Sequence, residues 1–208
     1  MRIAILVSGK ARGSNMQAII EACQQGVIPN SEVVAVIGTR DGAPALLRAQ
    51  ALSVPTSVVN PSEFPDEETY GDALLWVLGK VQPDLLCLAG YVRLLPKQVV
   101  QAYPNRILNI HPALLPQFGG KGMYGMRVHE AVIASGAKTS GCTVHLVDEH
   151  YDTGPIVLQR TVEVLPDDTP ESLAQRVLPV EHATYVEAVR LFAEGKVNVE
   201  SGKVRIEE

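Results

Sequence analysis

Apolar runs alternating with helical patterns constrain this chain more than any other feature. Runs at Arg2–Ser8, Val33–Gly38, Thr56–Asn60, Leu85–Ala89, Arg106–His111, Thr143–Val147 and Ile156–Val164 read as strands. The early ones are apolar at nearly every position. Successive side chains of a strand point to opposite faces, so such runs suit strands covered on both sides. Between them, Ser14–Gln25, Ala43–Leu52, Asp66–Val81, Lys97–Ala102, Arg127–Ser135 and Pro170–Glu194 read as helices. The alternation predicts an α/β protein built on a single doubly wound, mostly parallel sheet with helices on both faces. Thr169 and Pro170 form a good N-cap and N1 pair, and Pro179 is expected to kink or break the last helix. No repeat, linker or low-complexity stretch interrupts the pattern, so residues 1–208 are expected to form one domain.

Composition narrows the class. Hydrophobic residues make up 46% and charged residues 20%, an ordinary globular balance. No apolar run approaches bilayer length, and "MRIAILVSG" is too short for a signal peptide, so a cytoplasmic protein with no membrane partner is expected. Cys23, Cys87 and Cys142 lie in apolar surroundings and are expected to be reduced thiols. The net charge is −5 with no Lys/Arg cluster, which argues against a nucleic-acid partner. An anionic small molecule would have to be held locally, by backbone N–H groups and a few cations.

In doubly wound sheets ligands sit beyond the carboxyl ends of the strands. The polar oddities of this sequence fall at such ends. "LVSGKARGSNMQAII" passes from strand through a glycine turn into a helix. Gly13, Ser14 and Asn15 at that helix start suit a phosphate, or simply a tight turn with a cap. The turn matches neither G-x-G-x-x-G nor a Walker loop, and Thr39–Arg40 stand where a dinucleotide fold would place an acid. An NAD-type oxidoreductase is thereby disfavoured.

A second oddity is "LNIHPALLPQF", Leu108–Phe118. Asn109 and His111 point the same way from one extended segment, and Pro112 keeps His111 extended. An amide and an imidazole side by side can hold an oxyanion; each can also merely cap a loop. The third is "GCTVHLVDEHYDTGP", Gly141–Pro155. Its Asp152 is either the carboxylate that orients or charges His111 or a turn residue. His145, Asp148, His150 and Asp152 match no familiar metal-ligand spacing, so no metal is expected. His129 and His182 read as packing or capping residues, and no G-x-S-x-G or Cys/His nucleophile motif is present.

Five segments in order, "SG…GSN", "LAGYVRLLP" (Leu88–Pro96), "LNIHPALLP" (Leu108–Pro116), "HLVDEHYDTGPIVLQ" (His145–Gln159) and "EHATYV" (Glu181–Val186), resemble the folate-dependent formyltransferases. Among these the likeness is to the phosphoribosylglycinamide formyltransferase family of purine synthesis. The resemblance covers nearly the whole chain and implies a Rossmann-like formyltransferase fold. It implies transfer of a formyl group from 10-formyltetrahydrofolate, as co-substrate, to the amine of glycinamide ribonucleotide. Gly13, Ser14 and Asn15 would hold the phosphate and Glu181 the ribose hydroxyls. Val92, Arg93, Leu94 and Leu95, with Asn109, would line the folate pocket. Asn109, His111 and Asp152 would be catalytic, with Thr143 and His145 in support. The phosphate side would lie in about residues 1–100, and the folate and catalytic side in about 101–208.

On this resemblance Asn109 and a protonated His111 would donate to the oxyanion, and Asp152 would raise the imidazole pKa and help to move a proton. Two departures stand out. Lys10-Ala11-Arg12 lengthen the phosphate turn, and Glu67 occupies a position where relatives carry a basic residue. A 10-formyltetrahydrofolate hydrolase (deformylase) is the nearest rival, but such relatives usually have an extra N-terminal domain. A tRNA formyltransferase would need an added nucleic-acid domain. A binding protein without turnover is a further alternative. The assembly expected is a monomer or homodimer.

Overall fold

A computed structural model describes residues 1–207 of the chain. The elements run β1 (Arg2–Val7), α1 (Ser14–Gln24), β2 (Glu32–Gly38), α2 (Pro44–Ala51), β3 (Thr56–Val58), a 3₁₀ turn (Pro61–Glu63), α3 (Glu67–Val81) and β4 (Leu85–Leu88). They continue as α4 (Lys97–Ala102), β5 (Ile107–His111), α5 (Met126–Ser135), β6 (Thr139–Leu146), β7 (Ile156–Glu163), α6 (Pro170–Ala193), β8 (Val197–Glu200) and β9 (Lys203–Ile206). Seven strands form a sheet in the order β3-β2-β1-β4-β5-β6-β7, and β8 pairs with β9 in a separate hairpin. Contacts group the chain into two compact units, Met1–Leu108 and the residues from Asn109 onward.

In the first unit β1 pairs in parallel with β2 and with β4, and β2 with β3. Ile3, Ala4, Ile5, Leu6 and Val7 are all fully buried, as an apolar run covered on both faces requires. Asp66 caps α3 by accepting from the Thr69 N–H at 2.8 Å. In the second unit β6 and β7 are antiparallel, with Thr143 opposite Gln159. Helix α6 packs on this pair and buries Leu173, Val177, Tyr185 and Val189.

Several expectations change. Strand β6 begins at Thr139, four residues earlier than the apolar run suggests, because Ser140 and Gly141 mask it. A Cβ on Gly141 would sit 1.9 Å from the Arg160 carbonyl oxygen, so the strand needs glycine where it passes β7. Helix α6 does not break at Pro179. That residue is exposed, so the Gln175 carbonyl it deprives of a donor can turn to water. The cap of this helix is a full box, Thr169 and Ser172 bonding each other's backbone N–H. The β8–β9 hairpin was not anticipated. Cys87 and Cys142 are buried and Cys23 half-buried, all as free thiols. Among the described residues no helix is long and apolar enough to cross a membrane.

Candidate active site

Strand β5 delivers Asn109 and His111, β6 delivers Thr143 and His145, and the loop after β6 delivers Asp152. All five lie in the second unit, and the structure brings them together. Thr143 is fully buried and acts as a junction. Its hydroxyl donates to the Ala113 carbonyl at 2.6 Å and accepts from the Leu115 N–H at 3.1 Å. Gln159, across the β6–β7 pair, donates to the Thr143 oxygen at 2.8 Å and to the Leu115 carbonyl at 3.1 Å. These bonds fix the chain leaving His111. Gln159 carries no role in the sequence reading because it lies in an alternating strand where an amide is unremarkable.

The histidine tautomers follow from their partners. A carbonyl oxygen can only accept, so His145 Nδ1 donates to Leu146 O at 2.7 Å. In the neutral ring Nε2 is then the lone pair, and it accepts from the Asn109 amide at 3.1 Å. This turns Asn109 so that one amide N–H is taken by His145 and the other remains for a further acceptor.

His111 is oriented from the opposite side. Its Nε2 donates to the Phe118 carbonyl at 2.8 Å, while Nδ1 faces Asp152 Oδ2 at 3.6 Å. In the neutral ring that contact sets a lone pair against a carboxylate. A proton on Nδ1 makes it attractive. Burial pushes the imidazole pKa down, and the Asp152 charge and the Phe118 carbonyl lift it only in part, so the net shift is downward. Burial thus works against the protonated His111 that the resemblance implies, and the Asp152 carboxylate works for it. Asp152 is 11% exposed. Burial lifts its carboxyl, but the Gly120 N–H, and His145 Nε2 at 3.5 Å when that ring carries a second proton, outweigh this and hold it below the usual carboxylate range.

The turn Phe118–Gly120 is the part sequence reasoning missed. Besides the bond from His111, its Gly120 N–H donates to Asp152 Oδ2 at 2.8 Å. Phe118 and Asp152 both have left-handed backbone, at φ 56° and 57°. Non-glycine residues rarely hold that conformation without surrounding support, and such strain clusters at functional sites. A Cβ on Gly119 would lie 2.5 Å from Leu115 Cδ2 and 3.3 Å from Asp152 Cβ. The glycine pair was a visible signal that the chain passes closely here. Gly154 of the Asp-Thr-Gly-Pro turn is similarly required, since its Cβ would meet the Leu146 carbonyl oxygen at 1.9 Å.

Of the four residues weighed as metal ligands, His145 and Asp152 belong to the group above, with His145 Nε2 3.5 Å from Asp152 Oδ1. Asp148 instead accepts from the Thr153 hydroxyl at 2.8 Å and from the His150 N–H at 2.9 Å. Glu181 is buried on α6, and its charge adds to the burial that raises the Cys142 thiol to about 11.

The first unit holds the other predicted residues. Gly13 caps α1 at φ 80°, and a Cβ there would lie 2.9 Å from Ala45 Cβ. No side chain at the cap accepts from the first N–H groups of α1, which Ser14 and Asn15 begin. That leaves the positive end of the helix open to an anion. Ser8 ties this turn to the 92–95 segment, accepting from the Val92 N–H at 2.9 Å. Val92 and Arg93 are exposed, Leu94 half-buried and Leu95 buried.

A mostly parallel sheet with a partly buried Asn–His–Asp group at its strand ends is an arrangement that suits an α/β enzyme. Residues 1–189 match the formyl transferase family model. A glycinamide ribonucleotide transformylase from Symbiobacterium toebii superposes with a TM-score of 0.93 at 42% identity, covering 100% of this chain and 94% of that one. A chloroplastic phosphoribosylglycinamide formyltransferase from Arabidopsis thaliana is 45% identical over 206 residues, 94% of this chain. The chain spans 66% of that relative's length. A formyltetrahydrofolate deformylase from Pseudomonas syringae shares the fold, with a TM-score of 0.86 at 23% identity, covering 100% of this chain and 66% of that one. The chain belongs to the formyl transferase family, on the branch of the phosphoribosylglycinamide formyltransferases.

Proposed function

We propose that this chain transfers the formyl group of 10-formyltetrahydrofolate to the amine of N1-(5-phospho-D-ribosyl)glycinamide. The products are formylglycinamide ribonucleotide and tetrahydrofolate. The observation that carries the reading is a pair of oriented groups, half-buried Asn109 set by His145 and buried His111 set against Asp152. The folate supplies the activated formyl carbon and a weakly basic aryl-amine leaving group. Val92–Leu95 suit it, offering apolar side chains and one exposed cation, Arg93.

The remaining amide N–H of Asn109 donates to the formyl oxygen as negative charge develops there. The attacking amine forms a bond to the formyl carbon and must shed a proton. His111 Nδ1 and Asp152 together provide its resting place, because a proton between them converts an unfavourable contact into a charge-assisted one. The same proton returns to the folate nitrogen as its bond to the formyl carbon breaks. Gly13, Ser14 and Asn15 hold the ribonucleotide phosphate, and Glu181 the ribose. Thr143 and Gln159 keep the 113–115 segment, and so His111, in place.

Release of tetrahydrofolate, measured with and without the ribonucleotide, tests this. Release that depends on the ribonucleotide amine supports the transferase. Release with water alone makes the protein a hydrolase, and binding without release makes it neither.

A further inference from the structure

A cavity of about 250 Å³ lies in the first unit, against the start of α3 and the 93–94 segment. Pockets that enclose whole drug-sized ligands begin at about 300 Å³. This one suits the end of a larger molecule. Phe64 and Tyr70 form an aromatic wall, their ring centroids 5.9 Å apart, and the Tyr70 hydroxyl is engaged with Tyr91 at 2.9 Å. Among the lining residues the charged groups are two carboxylates, Asp66 and Glu67, and one cation, Arg93. Asp66 is committed as the cap of α3, accepting from the Thr69 N–H at 2.8 Å and hydroxyl at 2.9 Å. Those bonds hold its carboxyl below the usual range, so it stays anionic. The helix terminus that could have attracted an anion is thus already faced by acids: Asp66 at the cap, then Glu67 and Glu68 in the first turn.

Arg93 and Leu94 line this cavity and also belong to the segment assigned to the folate, so a role for the cavity in folate binding rests on that assignment. A folate ends in glutamate, and each further γ-linked glutamate adds one carboxylate. One guanidinium can pair with one carboxylate in a bidentate fork. Any carboxylate beyond that first pairing finds no second cation among the lining residues, and each added glutamate brings one more negative charge to a cavity that already holds Asp66 and Glu67. We propose that Glu67 is a specificity residue that sets this cavity against anionic extension of the folate tail, so that the chain prefers the monoglutamyl donor to polyglutamyl forms.

Binding of tetrahydrofolate monoglutamate and triglutamate to the full chain, by titration calorimetry at low and high salt, tests this. The ratio of the two dissociation constants is read on one protein, so a general loss of folding quality cancels. The wild-type chain should bind the triglutamate more weakly than the monoglutamate. Glu67→Lys should move the ratio toward the triglutamate by about three- to tenfold, the scale of exposed charge pairs. Glu67→Gln should move it part of the way, and high salt should shrink the shift. Equal or tighter triglutamate binding by the wild type, or a ratio unmoved by Glu67→Lys, overturns the proposal. Formyl transfer with an unmoved ratio defeats this cavity alone. The expected ratios without formyl transfer defeat the proposed activity and leave the cavity assignment standing. Failure to bind either folate overturns both.

Discussion

His111 Nδ1 faces Asp152 Oδ2 across 3.6 Å, while the same turn of chain satisfies both residues: Phe118 accepts from His111 Nε2 and Gly120 donates to Asp152. The pair is therefore fixed in place before any substrate arrives, with room for one proton between Nδ1 and the carboxylate.

Asp152→Asn should lower kcat by about two to three decades, the scale of lost general acid–base assistance. Ribonucleotide affinity should stay within a fewfold. The carboxylate lifts the His111 pKa, so its removal should move the acid limb of the pH–rate profile to lower pH. Near wild-type turnover, or an unmoved limb, would return Asp152 to the status of a turn residue.

Asn109→Ala should cost a similar two to three decades in kcat, as removal of an oxyanion donor does. Because Asn109 and the His111–Asp152 pair act on one step, the double variant with Asp152→Asn should be little worse than the poorer single variant. Losses that simply multiply in the cycle would show independent roles.

Thr143→Val should destabilise the fold by about 1–3 kcal/mol, since it strips a buried donor and acceptor from partners that have nowhere else to turn. Urea unfolding measures this. The variant should also lose turnover, because the chain following His111 loses its anchor.

Gly13→Asp should abolish ribonucleotide affinity, while Gly13→Ala shows how much of that loss is backbone. A non-glycine residue at φ 80° costs about 1–3 kcal/mol in strain, and its Cβ would press on Ala45. Calorimetric affinity that separates the two variants by charge identifies a phosphate site; equal affinities would identify only a turn.

Stability should fall on the acid side. Burial holds His111 and His129 below their ordinary pKa, so from about pH 6.5 down to their folded values the unfolded chain binds more protons. Stability therefore rises with pH across that window and is lost as pH drops through it. Asp152, also depressed, adds a further loss below the ordinary carboxylate range. Urea midpoints at pH 7.5, 6 and 5 should decrease in that order, and His129→Gln should flatten the decrease.

What could be read directly from the chain was whatever hydrophobic burial writes into it. Strand β1 and helix α3 were visible because nearly every β1 residue is apolar and Asp66 announces the helix start. Strand β6 was clipped because Ser140 and Gly141 look like a turn, when in fact glycine is needed for backbone clearance against Arg160. The β8–β9 strands are four residues each and alternate with charge, so they resemble a solvated tail. At the site, Asn109, His111 and Asp152 were conspicuous as polar groups where apolar ones belong. The protonation state of His111 was not, because it depends on how deeply the ring is buried and on a carbonyl seven residues away. Backbone partners such as Phe118 leave no side-chain signature at all.

The mutual fastening of the 118–120 turn and Asp152 has a consequence for anyone recombining this chain with its relatives. Backbone atoms of one segment complete the side chains of the other, and Asn109 and Gln159 bond into the same group, so residues 109–159 should pass between parents as a single heritable block. A crossover placed outside that block exchanges the assembly whole. A crossover inside it, even between parents that are each active, joins a turn to an aspartate that never shaped it.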